Sequence, residues 1–156
     1  MDSIIQFPSR VSETAGIRAC RKPQLARYVP DEVNALFEVA RGSMIYGWLF
    51  YPLVTLASQQ CHRVLETGAR TRCEQLGIQC VRRLRNGRML DVAFADLIQR
   101  LTERNTIPRG DVRRWEAQRW LRNKSSHPKS QSIYSAGDGL TILESTAELL
   151  NRVFQG

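Results

Sequence analysis

Arg122, Asn123 and His127 stand close together in the chain, and their types suit chemistry on a phosphate. A histidine titrates near neutrality, so it can take up or deliver a proton during a reaction. An arginine guanidinium grips phosphate through parallel N–H bonds and stabilises charge building on the phosphate oxygens. The amide of Asn123 can hydrogen-bond to the same phosphate or orient the imidazole. The other histidine, His62, has no arginine five to seven positions before it, so the pattern is confined to one place.

The element that must carry these residues is a helix opening at Pro108–Asp111 and running to about Ser126. Trp115 and Arg122 are seven residues apart and share one side of it, where Trp115 and Leu121 can anchor in a core. Arg122 then lies at the edge of buried surface. In an ideal helix Arg122 and His127 point about 140° apart. Pro128 pushes the residue before it out of the helical region, which leaves His127 at the helix end, free to turn towards Arg122. Asn123, four residues before His127, already faces it. A purely structural role is open to the same residues. Arg122 can cover apolar surface or pair with Glu116 or Glu148, and His127 can serve only to favour the helix C-terminus.

Arginine, a polar residue, then histidine after four to six intervening residues resembles the signature of HEPN domains. Here Arg122 and His127 have four residues between them, and the neighbouring Arg-Trp, Leu-Arg-Asn and Ser-His-Pro also resemble bacterial proteins of this kind. The wider likeness spans roughly residues 30–154, although only the motif is specific. The resemblance implies an all-α antiparallel bundle of four to five helices and a metal-independent endoribonuclease without cofactor. It implies single-stranded RNA as substrate and a homodimer that brings two motifs to one cleft. His127 would then take the proton of a ribose 2′-hydroxyl or give one to the leaving 5′-oxygen, with Arg122 and Asn123 on the phosphate. A toxin or phage-defence effector, with an antitoxin protein as a further partner, fits such an activity. The competing reading is a non-catalytic HEPN-like module that binds a protein partner or a nucleotide. A DNA-binding regulator ranks below both, because no helix-turn-helix pattern with a tight glycine turn is visible.

Composition agrees with an anionic partner. The 156 residues carry a formal charge of +8, and arginine outnumbers lysine 20 to 3. An arginine-rich proteome would give the same ratio without any function. The charge is uneven: residues 63–88 hold seven arginines against Glu66 and Glu74, and residues 109–129 hold seven basic residues against Asp111 and Glu116. Arg82, Arg83, Arg85 and Arg88 in the first cluster, and Arg119, Lys124 and Lys129 in the second, are the candidate RNA-binding residues. Each also reads as an ordinary solvated charge, and Trp115 with Trp120 reads as core packing ahead of base stacking. Cys20, Cys61, Cys73 and Cys80 include no C-x-x-C pair and no knuckle spacing, so buried reduced thiols and no metal are expected. Together with the lack of a signal-like N-terminus, they suggest a reducing, cytoplasmic setting. Gly42–Cys61 carries no formal charge, yet Ser43, Pro52, Thr55 and Gln59-Gln60 interrupt it, so a buried helix pair is favoured over a membrane span.

The chain divides into a loose, basic, flexible N-terminal arm over residues 1–29 and a HEPN-like helical bundle over 30–156. The first helix should start at Pro30-Asp31 and bury Val33, Leu36, Phe37, Ala40 and Met44, with a break near Trp48–Tyr51. A second should run from Pro52 to Leu76 and stop at Gly77. Residues 80–89 remain open, with a small hairpin allowed by Asn86-Gly87. Asp91 is expected to cap a third helix, and Asp138 to introduce the last, which carries a stripe of Leu140, Leu143, Ala147 and Leu150.

Overall fold

The computed structural model describes residues 10–125 and 134–155, and those residues are predominantly helical. Six helices occur among them: α1 (Arg10–Cys20), α2 (Asp31–Gly47), α3 (Pro52–Gln75), α4 (Phe94–Glu103), α5 (Val112–Ser125) and α6 (Ala136–Phe154). Between α3 and α4 lie two short strands, β1 (Val81–Arg83) and β2 (Met89–Asp91). No helix among the described residues is long and apolar enough to cross a membrane.

The α2–α3 hairpin forms where the sequence places it. Pro30 precedes α2, Asp31 and Glu32 favour its first turn, and Val33, Phe37, Ala40 and Met44 are buried along one side. The helix breaks over Trp48–Tyr51, and α3 opens on Pro52, where the missing N–H costs nothing. The two helices pack closely at Gly47, where an added Cβ would sit 2.8 Å from Val54 Cγ2. Helix α3 ends at Gln75 with Leu76 as its C-cap, followed by Gly77 with φ +68, a left-handed conformation that glycine adopts without strain. Residues 81–91 form the small antiparallel hairpin, with Arg82 opposite Leu90 and Arg83 opposite Met89.

Buried apolar side chains from all six helices form one core. Its most enclosed members include Phe37, Met44, Leu65, Leu97, Leu101, Leu143 and Leu150. From the α6 stripe, Leu143, Ala147 and Leu150 are buried, while Leu140 packs at the margin.

Two expectations need correction, and one, that Asp138 introduces the last helix, is made more specific. Asp91 does not cap α4; it ends β2, and Ala93 occupies the cap position without a side-chain bond. At α6 the cap is Ser135, whose hydroxyl accepts from Asp138 N while the Asp138 carboxylate accepts from Ser135 N. The third concerns the arm. Residues 10–29 hold α1 and a packed connection, because the missing side chain of Gly16 and the small one of Cys20 let Trp48 lie against the helix. Trp48 Nε1 donates to Cys20 Sγ at 3.3 Å, and Cys20 and Val29 are buried. Asn151 on α6 then fastens the connection: its Oδ1 accepts from Ala26 N at 2.7 Å and its Nδ2 donates to Gln24 O at 3.0 Å.

Deleting residues 1–27 should therefore lower the thermal midpoint clearly, as it opens the Cys20 and Trp48 packing. Asn151→Ala should cost about 1 kcal/mol, because it removes two hydrogen bonds to partly exposed backbone that water replaces in part. Urea unfolding followed by circular dichroism measures both, and midpoints equal to that of the intact chain would show that the segment does not belong to the folded unit.

Candidate functional site

Helix α5 has no continuous apolar face, so its rotation about its own axis is set by a few contacts. Asp111, Trp115, Gln118 and Arg122 follow the i, i+4, i+7, i+11 spacing of one stripe, and the first three are buried. Trp115 is 1% exposed and meets Phe94 of α4 edge to face, with ring centroids 6.2 Å apart. At the start of the helix the buried Asp111 carboxylate accepts from Arg152 Nη1 of α6 at 2.8 and 3.0 Å. Arg114 Nη2 donates to Glu148 Oε2 at 2.6 Å and to Ser145 Oγ at 3.3 Å.

These contacts deliver Arg122 to α3, as the expectation of a face shared with Trp115 requires. The acid that meets it is neither Glu116 nor Glu148. Arg122 Nη2 donates to Glu66 Oε2 at 3.0 Å, and Nη1 to Asn123 Oδ1 at 3.3 Å. The Arg122 side chain is 41% exposed and that of Glu66 25%, so the pair sits at the protein surface with its acid the more enclosed member. Glu116 instead pairs with Arg119, whose Nε donates to its Oε2 at 2.7 Å. His127 and Lys129 lie outside the described residues.

Behind the Arg122–Glu66 pair lies a histidine that motif spacing sets aside. His62, one turn before Glu66 on α3, is 1% exposed, and its ring points at Gln118 without closing a hydrogen bond of ordinary geometry. Both ring nitrogens and Gln118 Oε1 thus lack a hydrogen-bond partner among the described residues. Burial pushes the imidazole pKa down to about 4; the nearby Gln118 works slightly against this, and the charge of Arg122 adds to it. His62 is therefore neutral at physiological pH. The sequence signal for the group is the i, i+4 pair His62 and Glu66, with Glu66 one of two acids among seven arginines.

The remaining candidates are distributed. Lys124 is exposed and lies over the ring of Trp120 at 5.0 Å; Trp120 itself is 58% exposed, so the expected core role belongs to Trp115 alone. Arg82, Arg83, Arg85 and Arg88 are all exposed on the β1–β2 hairpin. The hairpin follows the end of α3, and Glu66 to Leu76 is about 15 Å along the helix at 1.5 Å per residue. Arg70, one turn beyond Glu66, ties the two places together: its Nη1 donates to Cys80 O at 3.0 Å and its Nη2 to Val92 O at 3.1 Å. A shallow groove between α4 and α5 is lined by Asp96, Glu103 and Glu116 among others, an acidic lining unsuited to phosphate. All four cysteines are buried and free, and burial pushes Cys61 and Cys73 up to about 12, so both are protonated thiols. Among the described residues no three His, Cys, Asp or Glu side chains gather as a metal site would require.

Comparisons with protein-family models, with curated proteins and with solved structures give no match.

His62 makes a pH-dependent contribution to stability whose sign is fixed. Its folded pKa of about 4 lies below the ordinary 6.5, so the unfolded chain binds the proton more readily between these values. Stability should be fully present above pH 6.5 and fall as pH drops towards 4, by roughly 3 kcal/mol at most from this group. Urea unfolding from pH 7 to 4 should show a shallower acid loss in His62→Gln than in the native chain. Parallel curves for the two would mean that the imidazole is not buried neutral.

Proposed function

We propose that the chain is a metal-independent endoribonuclease acting on single-stranded RNA, of the HEPN-like kind, with a toxin or phage-defence role. The observation that carries this reading is the placement of Arg122. Its guanidinium is half-exposed, fastened by Asn123 and Glu66, and set on a helix whose rotation Trp115 and Asp111 fix. Such a fixed cation suits a phosphate whose charge grows in the transition state. In this reading His127 supplies proton transfer to or from the ribose 2′-hydroxyl and the 5′-oxygen. One motif histidine per chain fits a homodimer in which two motifs share the acid and base duties.

The hairpin supplies the rest of the grip. Arg82, Arg83, Arg85 and Arg88 are exposed and form no ion pair among the described residues, and Met89 and Leu90 beside them are 58% and 41% exposed. Free guanidiniums next to apolar side chains suit a strand whose backbone needs charge and whose bases need stacking surface. The distance along α3 between hairpin and Arg122 is a span of a few nucleotides. Arg119 and Lys124 flank Arg122 on α5, and Lys129 follows in sequence.

A second reading has its own observation. Tyr46, Leu49, Phe50 and Leu56 at the α2–α3 corner are each more than half exposed, and the surrounding residues 42–61 carry no charge. A patch of this kind suits a protein partner, an antitoxin or a module partner alike.

Cleavage of mixed RNA by the purified chain separates the two. Arg122→Ala and His127→Ala should each remove most activity, since a preorganised charge on the reacting phosphate is worth about 10²–10³-fold and a general acid–base group about 10²–10⁴-fold. Cleavage should persist in EDTA, leave a 2′,3′-cyclic phosphate and spare DNA, which lacks the 2′-hydroxyl. The double variant should lose little more than either single one. Activity that survives His127→Ala, or that disappears in EDTA, would leave the partner-binding module as the better account. The hairpin makes a separate prediction: Arg82→Ala/Arg83→Ala/Arg85→Ala/Arg88→Ala should weaken RNA binding and flatten its dependence on salt by up to about three charges' worth, with the midpoint of unfolding unchanged. An unaltered salt slope would remove the hairpin from the RNA path.

A further inference from the structure

We propose that Glu66 is an internal competitor for nucleic-acid phosphate: its carboxylate occupies the guanidinium of Arg122, and a phosphodiester takes its place on binding. The inference rests on the nucleic-acid part of the reading above and not on cleavage. A carboxylate and a phosphate present the same pair of acceptor oxygens to a guanidinium, so they contend for the same N–H groups. Arg122 Nη2 is given to Glu66 Oε2 at 3.0 Å, and Nη1 to Asn123 at 3.3 Å.

The surroundings make this ion pair suited to exchange. Its members are 41% and 25% exposed, so water reaches both and the pair is worth little to the fold. Among the described residues the Glu66 carboxylate accepts no hydrogen bond besides that from Arg122, and the buried His62 one turn before it is neutral and bonds neither side chain. Glu66 also has somewhere to go. Arg63, three residues before it, is exposed, whereas Arg70, four residues after it, is half-buried and gives its two terminal nitrogens to Cys80 O and Val92 O, with a 3.7 Å approach to the exposed Asp91. Residues three and four apart on a helix are neighbours, so a displaced Glu66 reaches the exposed Arg63 and stays in the field of Arg70 instead of remaining uncompensated. The other α5 arginines differ in this respect. Arg114 is held by Glu148 and Ser145 on another helix, and Arg119 by Glu116 within α5, so neither stands against α3 and its alternative cations.

The exchange sets a threshold for ligands. A single weak anion gains little by displacing a tethered carboxylate, whereas a strand that also engages the hairpin arginines brings its phosphate to Arg122 at high local concentration. Glu66 therefore selects polymeric over mononucleotide phosphate at Arg122.

The test is binding of a fluorescein-labelled ten-nucleotide 2′-O-methyl RNA, which cannot be cut by 2′-hydroxyl attack, at low salt. Glu74→Gln serves as the control, because Glu74 is exposed about two turns further along α3, at its hairpin end, and the variant changes net charge equally, so it reports the gain from removing a negative charge without touching Arg122. Glu66→Gln should tighten binding about threefold to fivefold more than Glu74→Gln does, the range expected for removal of a partly exposed ion pair. In an Arg122→Gln background the two variants should be indistinguishable. Inorganic phosphate, too weak to compete in the native chain, should compete measurably with the labelled RNA in Glu66→Gln. Glu66→Asp, which keeps the charge and shortens its reach, should gain less than Glu66→Gln and guards against a variant that does not fold. Weaker binding by folded Glu66→Gln, a gain equal to that of Glu74→Gln, a gain that persists without Arg122, or no binding by any variant would each overturn the proposal. A chain that shows the Arg122-dependent gain yet never cuts RNA would retain the exchange and lose the ribonuclease reading.

Discussion

The site depends on the rotation of α5, and that rotation depends on one buried tryptophan and one buried carboxylate. A helix whose sides are polar almost throughout has no apolar stripe to choose an orientation for it. Trp115 supplies nearly all the deep burial that α5 has, and Phe94 meets its ring edge on. Asp111 fixes the helix start against Arg152 of α6. A buried carboxylate would be costly alone, so these two bonds set position as well as satisfy charge. Turning α5 by one residue, about 100°, would withdraw Arg122 from α3 and bring Leu121 or Asn123 there instead. Asn123 holds the guanidinium from its own helix, so the motif pair behaves as one rigid unit.

Arginine does different work in different parts of the molecule. On α5 and α6, Arg114, Arg119, Arg122 and Arg152 each have an acidic partner, and much of the high pI in this region is neutralised locally. On the hairpin the four arginines have none among the described residues. Net charge alone does not make that distinction, because a paired guanidinium and a free one count equally in the sequence. In the proposed reading a polyanion would meet the unpaired set first, at the hairpin, and Arg122 second. The groove between α4 and α5 offers a polyanion nothing comparable, because it holds Asp96, Glu103 and Glu116 among uncharged residues and no basic side chain lines it.

How far the sequence could be read follows from where the signal was periodic. The α2 start at Pro30-Asp31, the break before Pro52 and the stop at Gly77 are local effects of dihedral limits and capping, and the structure has them in those places. The all-helical class follows from the same periodicities. Residues 10–29 were harder, because α1 is stabilised by partners far away in sequence: Trp48 needs a glycine and a cysteine to lie on, and Asn151 satisfies backbone that has no periodic pattern of its own. Asp91 and Asp138 look like caps by type, but a hairpin claims the first and Ser135 comes before the second. At the site, the face shared by Trp115 and Arg122 was legible from a spacing of seven. The partner of Arg122 was not, since Glu66 is 56 residues away and only packing of α5 on α3 selects it over Glu116 and Glu148.

The neutral state of His62 completes the electrostatics of this surface. Were the imidazole protonated, two cations would face one carboxylate, and Glu66 would be drawn inward between them. Its exchange for an outside anion would then be opposed by the charge behind it. Burial prevents this by holding the ring neutral at physiological pH, and the proximity of Arg122 reinforces the effect. Gln118, polar but uncharged, fills the same layer from α5 without adding a charge of its own. The layer beneath Arg122 is therefore polar enough to accept a guanidinium stem and too weakly charged to hold Glu66. Under the exchange proposed above, the contest for Arg122 would then lie at the surface, between the Glu66 carboxylate and an incoming anion.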